Sequence, residues 1–565
     1  MKRVFLFFTF ILFFTFQTNA QTEYPQDTFR SPMDIPLILA GTFGELRSNH
    51  FHSGIDIKTQ QRVGLPIYGI GDGTITRIKV SLWGYGKVIY IAHPNGYTSV
   101  YGHLQKFSPK IESYIKKLQY QKKSYEVEVF PDYGDLKIEK GELIAYSGNT
   151  GSSGGPHLHF EIRSSATEKP TNPLLYGYKV DDTTNPTLLK LFGYPLSKNA
   201  LVNKSNERIQ LNFKKQKDGS FLADKVTAIG TIGFGFIGFD RQDMAANKNG
   251  IFSLEQIVNG KVYTEFNFEK FSFSETRYIN TLIDYEYYSK YRQRIQKCFK
   301  TPSNRLSIYN IIKNNGKISV AEGLSYNVEI RLKDLQGNET KLIIPIEGKK
   351  EQLQKIKKTI ITDHYVLAKK PNHFSAGPAK IYFPSNTFYE DFYMNLQHTN
   401  DTITFHNSSV PAHRSFTITF DASKYSKEEQ KKLFIARLDT KLRPRHVTTF
   451  KRGNTFTTRT KYLGTYTIAK DTVAPKISPK NFKAKQWLNN YKYLSLKITD
   501  DFSGINTYSA TINGEWVLME YESKKNTITY NFEDKVLKEQ KCNLKVVVTD
   551  NVGNTNEYST TFYRK

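Results

Sequence analysis

Histidines are concentrated in the first third of the chain, and their spacing is typical of a metal site. Six of the 12 histidines fall within about a fifth of the 565 residues, where chance predicts two or three. His52 and Asp56 are four residues apart, and His157 and His159 are two apart. In an extended chain an even separation places both side chains on one face, and Leu158 then points to the opposite, buried face.

Two imidazoles and one carboxylate form a ligand set that suits catalytic zinc. Such a site holds Zn²⁺ with three protein ligands at about 2.0–2.2 Å and keeps the fourth tetrahedral position for water. Spacing alone leaves open whether His157 or His159 supplies the second imidazole beside His52 and Asp56. His103 is a further candidate, because an imidazole next to a metal can accept a proton from water or hydrogen-bond an oxyanion.

Other interpretations of the same residues are less favoured. A structural zinc ion or a salt bridge between strands would use the same ligands, but open three-ligand sites with spare imidazoles are rarely structural. The loop from Gly148 to Pro156 has four glycines in nine residues, which allows backbone to approach a ligand closely. It lacks the Gly-Lys-Ser/Thr of a phosphate loop. Ser152 and Ser153 lack the strand–turn–helix context of a nucleophilic serine.

The elements that must position these residues are short strands joined by glycine turns. Tyr and Phe are abundant (36 and 39) and Met is scarce (5), a bias that favours strands over helices. Alternating apolar residues predict strands near residues 74–80, 87–92 and 97–103. A helix is predicted over 108–120 and a further strand over 124–130.

An internal repeat follows residue 178. Its landmarks occur in the same order in both copies: Asp182, Gly250-Ile251, Asn259-Gly260 and Asp334–Asn338 match Asp471, Gly504-Ile505, Asn513-Gly514 and Asp550–Asn554. This order predicts two related β-sandwich modules. A turn between the final strands explains the Asp-x-x-Gly-Asn segments, and Ca²⁺ binding is the less favoured alternative.

The first 20 residues predict export. Lys2 and Arg3 precede an apolar run from Val4 to Phe16, and Ala20 ends a small-residue cleavage site. The run is too short to span a bilayer well, and no second run of about 18 apolar residues follows. We therefore expect an exported chain in the periplasm or at the cell surface, without a transmembrane anchor after cleavage. The net charge of +27 then favours an anionic envelope, and no nucleic-acid partner is expected.

Three segments together resemble the lysostaphin-type (LytM-like) zinc metallopeptidases, which are mostly peptidoglycan endopeptidases. The segments are His52-x-Gly54-x-Asp56, Tyr101-x-His103-Leu104 and Gly155-Pro156-His157-Leu158-His159-Phe160-Glu161. The resemblance covers residues 35–173. It implies that His52, Asp56 and His159 bind one zinc ion per peptidase domain. It also implies that His103 and His157 are catalytic histidines that do not bind the metal.

The function implied by this resemblance is hydrolysis of peptide bonds in peptidoglycan stems or cross-links. Peptidoglycan is then the expected partner, and an envelope protein bound by the C-terminal β modules is a second candidate. Two alternatives stay open at this point: a non-enzymatic envelope-binding module, and a zinc peptidase that acts on a secreted protein.

We therefore predict a mostly β chain with an N-terminal antiparallel β peptidase domain followed by three β-sandwich-like modules. The predicted parts are a signal peptide (1–20), a lysostaphin-type zinc peptidase domain (21–180), an Ig-like β-sandwich with an insertion (181–349), a β module (350–470) and an Ig-like β-sandwich (471–565). Residues 105–140 are an insertion relative to a minimal peptidase domain and are a candidate wall or lid of the groove. Cys298 and Cys542 are expected to be unpaired thiols.

Overall fold

The computed structural model describes residues 24–356, 360–534, 537 and 539–565, and within them the fold is mostly β. The predicted signal peptide lies outside the described residues. We name four consecutive parts of the chain the first (24–180), second (181–349), third (350–470) and fourth (471–565) modules. Among the residues described, no helix has the length and apolar character needed to cross a membrane.

The first module is an antiparallel sheet with a small second sheet and one helix. Its elements are β1 (Leu39–Gly41), β2 (Ile55–Lys58), β3 (Pro66–Tyr68), β4 (Gly73–Val80), β5 (Lys87–Ala92), β6 (Tyr97–Leu104), β7 (Lys106–Phe107), α1 (Pro109–Lys122), β8 (Val127–Val129), β9 (Lys137–Ile138), β10 (Leu143–Tyr146), β11 (His157–Ser164) and β12 (Pro170–Thr171). The large sheet runs β1-β2-β11-β6-β5-β4-β8, with β12 beside β11 and β9 beside β4. The small sheet runs β3-β10-β7.

The strands that carry the predicted site residues are neighbours in the middle of the large sheet. Asp56 on β2 is the register partner of His159 on β11, and His159 in turn pairs with Gly102 on β6, next to His103. Register partners point to the same face of a sheet. Leu158 on the opposite face is fully buried in the core of the module, which confirms the alternation predicted for this segment.

Residues 105–140, predicted to be an insertion, pack into the first module and also contact the fourth. The predicted helix is confirmed as α1, which buries Ile111 and Ile115 in the core. On its other side, Lys116 forms an ion pair with Asp534, and the Tyr120 ring lies 5.3 Å from that of Trp516. The helix therefore joins the first module to the fourth.

The second module is a twisted assembly of antiparallel strands with two parallel pairings. Its elements are β13 (Thr187–Pro195), β14 (Leu201–Val202), β15 (Ile209–Leu211), β16 (Phe213–Lys215), β17 (Phe221–Ala223), β18 (Val226–Phe239), β19 (Ser253–Val258), β20 (Lys261–Asn267), α2 (Ile279–Leu282), α3 (Tyr285–Tyr291), β21 (Gln296–Lys297), β22 (Tyr309–Ile312), β23 (Ile318–Val320), β24 (Ser325–Lys333) and β25 (Glu339–Gly348). The main path runs β15-β13-β18-β25-β24-β19-β20-β22, and β25 lies parallel to β17 and to β18.

The third module has two five-stranded antiparallel sheets and a two-stranded one. Its elements are β26 (His364–Val366), β27 (Asn372–Ala376), β28 (Ala379–Phe383), β29 (Phe392–Met394), β30 (Leu396–Thr399), β31 (Thr402–Phe405), β32 (Phe416–Asp421), α4 (Lys427–Lys432), β33 (Leu433–Leu438), β34 (Pro444–His446), β35 (Phe450–Arg452), β36 (Thr455–Thr460) and β37 (Gly464–Lys470). The five-stranded sheets run β27-β28-β32-β36-β35 and β30-β31-β37-β33-β34. A capping box between Ser426 and Glu429 begins α4.

The fourth module has two four-stranded antiparallel sheets. Its strands are β38 (Lys476–Pro479), β39 (Tyr493–Thr499), β40 (Ile505–Ile512), β41 (Glu515–Trp516), β42 (Met519–Glu522), β43 (Thr527–Asn531), β44 (Lys541–Asp550) and β45 (Thr555–Tyr563). They form the sheets β38-β39-β43-β42 and β41-β40-β44-β45. The Asn-Gly pairs of the predicted repeat have positive φ in both copies, as a type I′ hairpin turn requires. Cys298 and Cys542 are free and buried, which confirms the expectation of unpaired thiols.

The first module shares a core with the second. Phe43 and Phe51 belong to the same buried cluster as the apolar residues of the second module. The Phe51 ring lies 5.4 Å from the rings of Phe268 and Phe271, and its backbone N–H donates to Thr276 Oγ1 at 2.8 Å. Because Phe51 directly precedes His52, the second module holds in place a segment of the predicted metal site.

Substitution of Phe51 by Ala should weaken this shared core. Removing a buried Phe side chain costs about 3–5 kcal/mol, because a cavity remains where the ring packed. We expect a lower midpoint of thermal unfolding, measured by differential scanning calorimetry. Phe130→Ala is the matched control, because that ring is 68% exposed. Equal midpoints for the two variants would show that the Phe51 contact contributes little.

Candidate metal centre

Three of the predicted site residues meet at one point. The distances are 3.0 Å from His52 Nε2 to Asp56 Oδ1, 3.0 Å from His52 Nε2 to His159 Nδ1, and 2.9 Å from His159 Nδ1 to Asp56 Oδ1. All three side chains are buried. A tetrahedral ion with bonds of about 2.0–2.2 Å has ligand–ligand edges of roughly 3.3–3.6 Å. A small outward shift of each atom therefore accommodates Zn²⁺.

The hydrogen bonds behind the two imidazoles determine which nitrogens face this point. His52 Nδ1 lies 2.8 Å from the carbonyl oxygen of Thr42, and His159 Nε2 lies 2.7 Å from Glu161 Oε1. Carbonyl and carboxylate oxygens only accept hydrogen bonds, so these nitrogens carry the protons. The opposite nitrogens, His52 Nε2 and His159 Nδ1, face each other and the carboxylate of Asp56. Once His159 Nδ1 has lost its proton, both nitrogens direct lone pairs at the same point. Such a donor set repels itself unless a cation lies between its members, and it fits zinc.

Glu161 anchors His159 from behind. Its carboxylate is fully buried and accepts hydrogen bonds from Ser53 Oγ at 2.7 Å, Tyr85 OH at 2.5 Å and Arg163 Nε at 2.6 Å. Burial alone would raise the pKa of Glu161, but the charge of Arg163 and the hydrogen bond with His159 lower it. Sequence reasoning placed Glu161 in a motif but gave it no role. The sequence did contain a clue, because residue 161 is an even number of positions from His157 and His159, and on an extended strand all three side chains therefore point to the same face.

His52 reaches the site from a hairpin that precedes β2. Its N–H donates to the Glu45 carbonyl at 2.9 Å, and Gly44 N–H donates to the His52 carbonyl at 2.9 Å. The prediction that His52 and Asp56 lie on one extended strand is therefore wrong for His52, since β2 begins at Ile55.

Arg47, on the same hairpin, is a site residue that sequence reasoning missed. Its Nη2 lies 2.5 Å from Asp56 Oδ2, which leaves Asp56 Oδ1 for the metal. A weaker contact joins Arg47 to Glu45 at 3.5 Å. Arg47 lies outside every motif, and only the folded hairpin brings it to Asp56.

The other two predicted histidines flank the ligand group. The ring of His157 lies 4.8 Å from that of His103, and His157 Nε2 lies 3.4 Å from Asp56 Oδ1. Each ring has its Nδ1 directed at a backbone carbonyl 2.9 Å away, on Thr150 for His103 and on Gly155 for His157. Because both Nδ1 atoms donate, each Nε2 is available as a proton acceptor. His103 has φ 60°, a left-handed conformation that orients its side chain.

Burial and neighbouring charges set the protonation of the site. Burial lowers the pKa of His52 to about 4, and burial with the charges of His159 and His157 lowers that of His103 to about 3. Burial also opposes the charged form of His159, but hydrogen bonds with Asp56 and Glu161 raise its pKa to about 9. A cation at Nδ1 must therefore displace a proton from His159, and metal binding is expected to release that proton.

The fourth module contacts the loop that precedes His157. Lys524 Nζ donates to the carbonyl oxygen of Asn149 at 2.7 Å, and Lys87 forms an ion pair with Glu520 at 3.0 Å. The next residue along the loop, Thr150, accepts the hydrogen bond from His103. One side of the site is therefore supported by the fourth module, and the hairpin of Arg47 and His52 is supported by the second.

Comparison with known proteins matches two parts of the chain to families. Residues 50–120 and 132–173 match the sequence model of Peptidase family M23, and residues 363–471 match that of the Zu5-like domain. The first match contains His52, Asp56, His103, His157 and His159. It also runs through residues 105–120 and 132–140, so the prediction of an insertion over 105–140 is wrong for these residues, and only residues 121–131 lie outside the match.

Curated relatives share the first of these parts. The DD-carboxypeptidase/endopeptidase Mpg of Neisseria meningitidis serogroup B is 33% identical over 129 residues, which are 23% of this chain and 23% of the relative. The peptidoglycan DD-endopeptidase ShyA of Vibrio cholerae is 32% identical over 111 residues, 20% of each chain. The match thus spans less than a quarter of the length of these relatives. Among solved structures, the catalytic domain of lysostaphin from Staphylococcus simulans is 23% identical with a TM-score of 0.19, covering 25% of this chain and 93% of that one.

Substitution of Glu161 by Gln should weaken zinc binding while the ligands stay intact. The neutral amide accepts a weaker hydrogen bond from His159 Nε2 than the carboxylate does, and it does not neutralise the charge of Arg163. The imidazole of His159 is therefore no longer held in its orientation. Changes of this kind typically reduce metal affinity 10–100-fold. Competition with a fluorescent zinc chelator measures the affinity.

The matched control is Glu168→Gln. Glu168 contacts the same arginine, Arg163, at 3.1 Å but is exposed and does not contact the imidazole of His159. If Glu161→Gln binds zinc as tightly as this control, Glu161 does not position His159.

Proposed function

We propose, from the peptidase family M23 domain in the first module, that the chain is a zinc-dependent endopeptidase that hydrolyses peptide bonds in peptidoglycan stems or cross-links. The observation that carries this proposal is the convergence of His52 Nε2, Asp56 Oδ1 and His159 Nδ1 within 3.0 Å of one another. Two spare imidazoles beside these atoms make hydrolysis a better fit than a structural ion. Relatives named as DD-endopeptidases support peptidoglycan as the substrate.

In this proposal His52, Asp56 and His159 hold one zinc ion. Zinc, when bound, lowers the pKa of water to near 7 and polarises a carbonyl oxygen. The protein contributes the orientation of its ligands. Thr42 and Glu161 fix the protonated nitrogens of the two imidazoles on the side away from the ion, and Arg47 holds the second oxygen of Asp56.

His103 and His157 are proposed as the catalytic histidines. Each has its Nδ1–H committed to a backbone carbonyl, and the low pKa of His103 leaves that ring neutral at neutral pH. A neutral imidazole with a free Nε2 accepts a proton from the attacking water. Once protonated, it stabilises the oxyanion and donates to the leaving amine.

We further propose that the chain is exported and acts in the periplasm or at the cell surface. The sequence of residues 1–20 supports a signal peptide. In this proposal the division at residues 180, 349 and 470 separates the peptidase domain from three C-terminal modules, of which the second and fourth modules are Ig-like. The contacts of those two modules with the peptidase domain support a role in shaping the groove. An envelope protein is proposed as a further partner of the three C-terminal modules.

Alanine substitutions should separate the two proposed roles. Asp56→Ala and His159→Ala should lose bound zinc, measured by inductively coupled plasma mass spectrometry, and lose cleavage of purified sacculi. His103→Ala and His157→Ala should retain zinc but lose about 10²–10⁴-fold in rate, because a proton-transfer group is missing. Retained zinc and activity in Asp56→Ala would refute the proposed ligand set.

Mass spectrometry of muropeptides released from sacculi tests the substrate. We expect soluble peptides cut within the stem or cross-link, and their loss when a chelator removes zinc. Glycine-rich polypeptides and secreted proteins are assayed in parallel. Cleavage of these alone would point to a peptidase acting on secreted proteins. Binding to sacculi without any cleavage by the zinc-loaded chain would point to a non-enzymatic module.

A further inference from the structure

Two groups of three aspartates lie outside the metal centre. Asp182, Asp240 and Asp334 meet in the second module, and Asp471, Asp500 and Asp550 meet in the fourth. In each group the three carboxylates offer oxygens within 4.8 Å of one another. The aspartates of each group come from three distant segments, so the fold and not local sequence brings them together.

Both groups are built in the same way around the last strand pair of the module. Asp334 Oδ1 accepts the N–H of Gly337 at 2.7 Å and of Asn338 at 2.8 Å. The amide of Asn338 then donates to Asp334 Oδ2 at 2.6 Å and to the carbonyl oxygen of Asp182 at 3.0 Å. The turn is thereby joined to the segment where the second module begins.

The fourth module repeats this network. Asp550 Oδ1 accepts the N–H of Val552 at 2.9 Å and of Asn554 at 2.7 Å. The amide of Asn554 donates to Asp550 Oδ2 at 2.7 Å and to the carbonyl oxygen of Asp471 at 3.1 Å. A turn accounts for these hydrogen bonds, but it does not account for the third aspartate that faces the pair in each module.

Asp240 is the residue that the turn leaves unexplained. Its side chain is 3% exposed, and Oδ1 has no hydrogen-bond partner among the described residues. Asn249, its cross-strand partner, and Gln242, two residues along, are also buried with unpartnered side-chain oxygens in the part of the chain described. Burial, together with the charges of Asp182 and Asp334, raises the pKa of Asp240 to about 8. A buried carboxyl group beside two other carboxylates carries a negative charge only when a counter-charge lies close to it.

The fourth module has a corresponding unpartnered group. Ser503 is 1% exposed, and its Oγ has no hydrogen-bond partner within the described ranges. Its N–H donates to Asp471 Oδ2 at 3.0 Å, which places Ser503 beside the aspartate group. Asp500 accepts the N–H groups of Phe502 at 3.0 Å and Gly504 at 2.5 Å through Oδ1.

We propose that each aspartate triad binds one calcium ion, which fastens the start of the second or fourth module to the turn of its last strand pair. The donors are all oxygens, which suits a hard cation and not zinc. Calcium takes six to eight oxygen ligands at about 2.3–2.6 Å, and carboxylates, amide or hydroxyl oxygens and water together meet this number.

The positions of the two proposed calcium sites indicate that bound calcium would have a structural role. Asp182 lies where the first module passes into the second, and Asp471 lies where the third passes into the fourth. Both the second and the fourth modules contact the peptidase domain near its metal centre. Calcium is therefore expected to stiffen the modules that support the groove, without contacting the substrate.

The test uses the full chain, stripped of metal on a chelating resin and reloaded with one equivalent of zinc. Isothermal titration with Ca²⁺ and luminescence of Tb³⁺ should report two sites per chain. The midpoint of thermal unfolding should rise with calcium, because an ion that binds only the folded state stabilises it. Asp240→Asn and Asp500→Asn should each remove one site. Their matched controls are Asp181→Asn and Asp501→Asn, exposed aspartates next to the triads, which should keep both sites.

Three results would overturn the proposal. The first is the absence of calcium binding to the zinc-loaded chain. The second is two-site binding that persists in Asp240→Asn and in Asp500→Asn. The third is a higher unfolding midpoint for Asp240→Asn together with no effect of calcium on the unsubstituted chain, which would show that Asp240 carries a proton instead of facing an ion. None of these readouts depends on peptidase activity, so they are independent of the proposed zinc chemistry.

Discussion

In the proposed metal centre, the hydrogen bond between Glu161 Oε1 and His159 Nε2 determines which nitrogen of His159 is left to bind the ion. It fixes the proton of His159 on the nitrogen that faces the protein, so the other nitrogen offers its lone pair to the ion. The carboxylate is buried, and a buried charge is tolerated only when it is paired. Arg163, Tyr85 and Ser53 provide that pairing on the remaining positions of Glu161. A single buried carboxylate thus links the interior of the sheet to the geometry of the site.

The sheet supplies only part of that geometry. Register between β2 and β11 places Asp56 opposite His159, but His52 arrives on a hairpin whose Phe51 packs into the second module. The loop before His157 is fastened to the fourth module through Lys524. The candidate metal centre therefore has contacts with three modules, although all of its proposed ligands lie in the first.

The parts of the fold that depend on local pattern could be predicted from sequence. The alternation through His157, Leu158 and His159 gave the correct faces of β11, and the periodicity near Ile111 gave the helix α1. Sequence reasoning could not predict that His52 lies outside the strand that carries Asp56. The backbone conformation at His52 is determined by a hairpin that packs against another module. Contacts such as Arg47 with Asp56 arise from tertiary packing, which spacing along the chain does not encode. The roles of the histidines and the module boundaries stay predictions.

X-ray diffraction from crystals of the zinc-loaded chain, with data collected on both sides of the zinc absorption edge, tests the central claim most directly. The expected result is one anomalous peak in the first module, about 2.0–2.2 Å from His52 Nε2, Asp56 Oδ1 and His159 Nδ1, with no fourth protein ligand. A peak elsewhere, or a fourth ligand from His157, His103 or Glu45 that closes the coordination sphere, would contradict an open catalytic site.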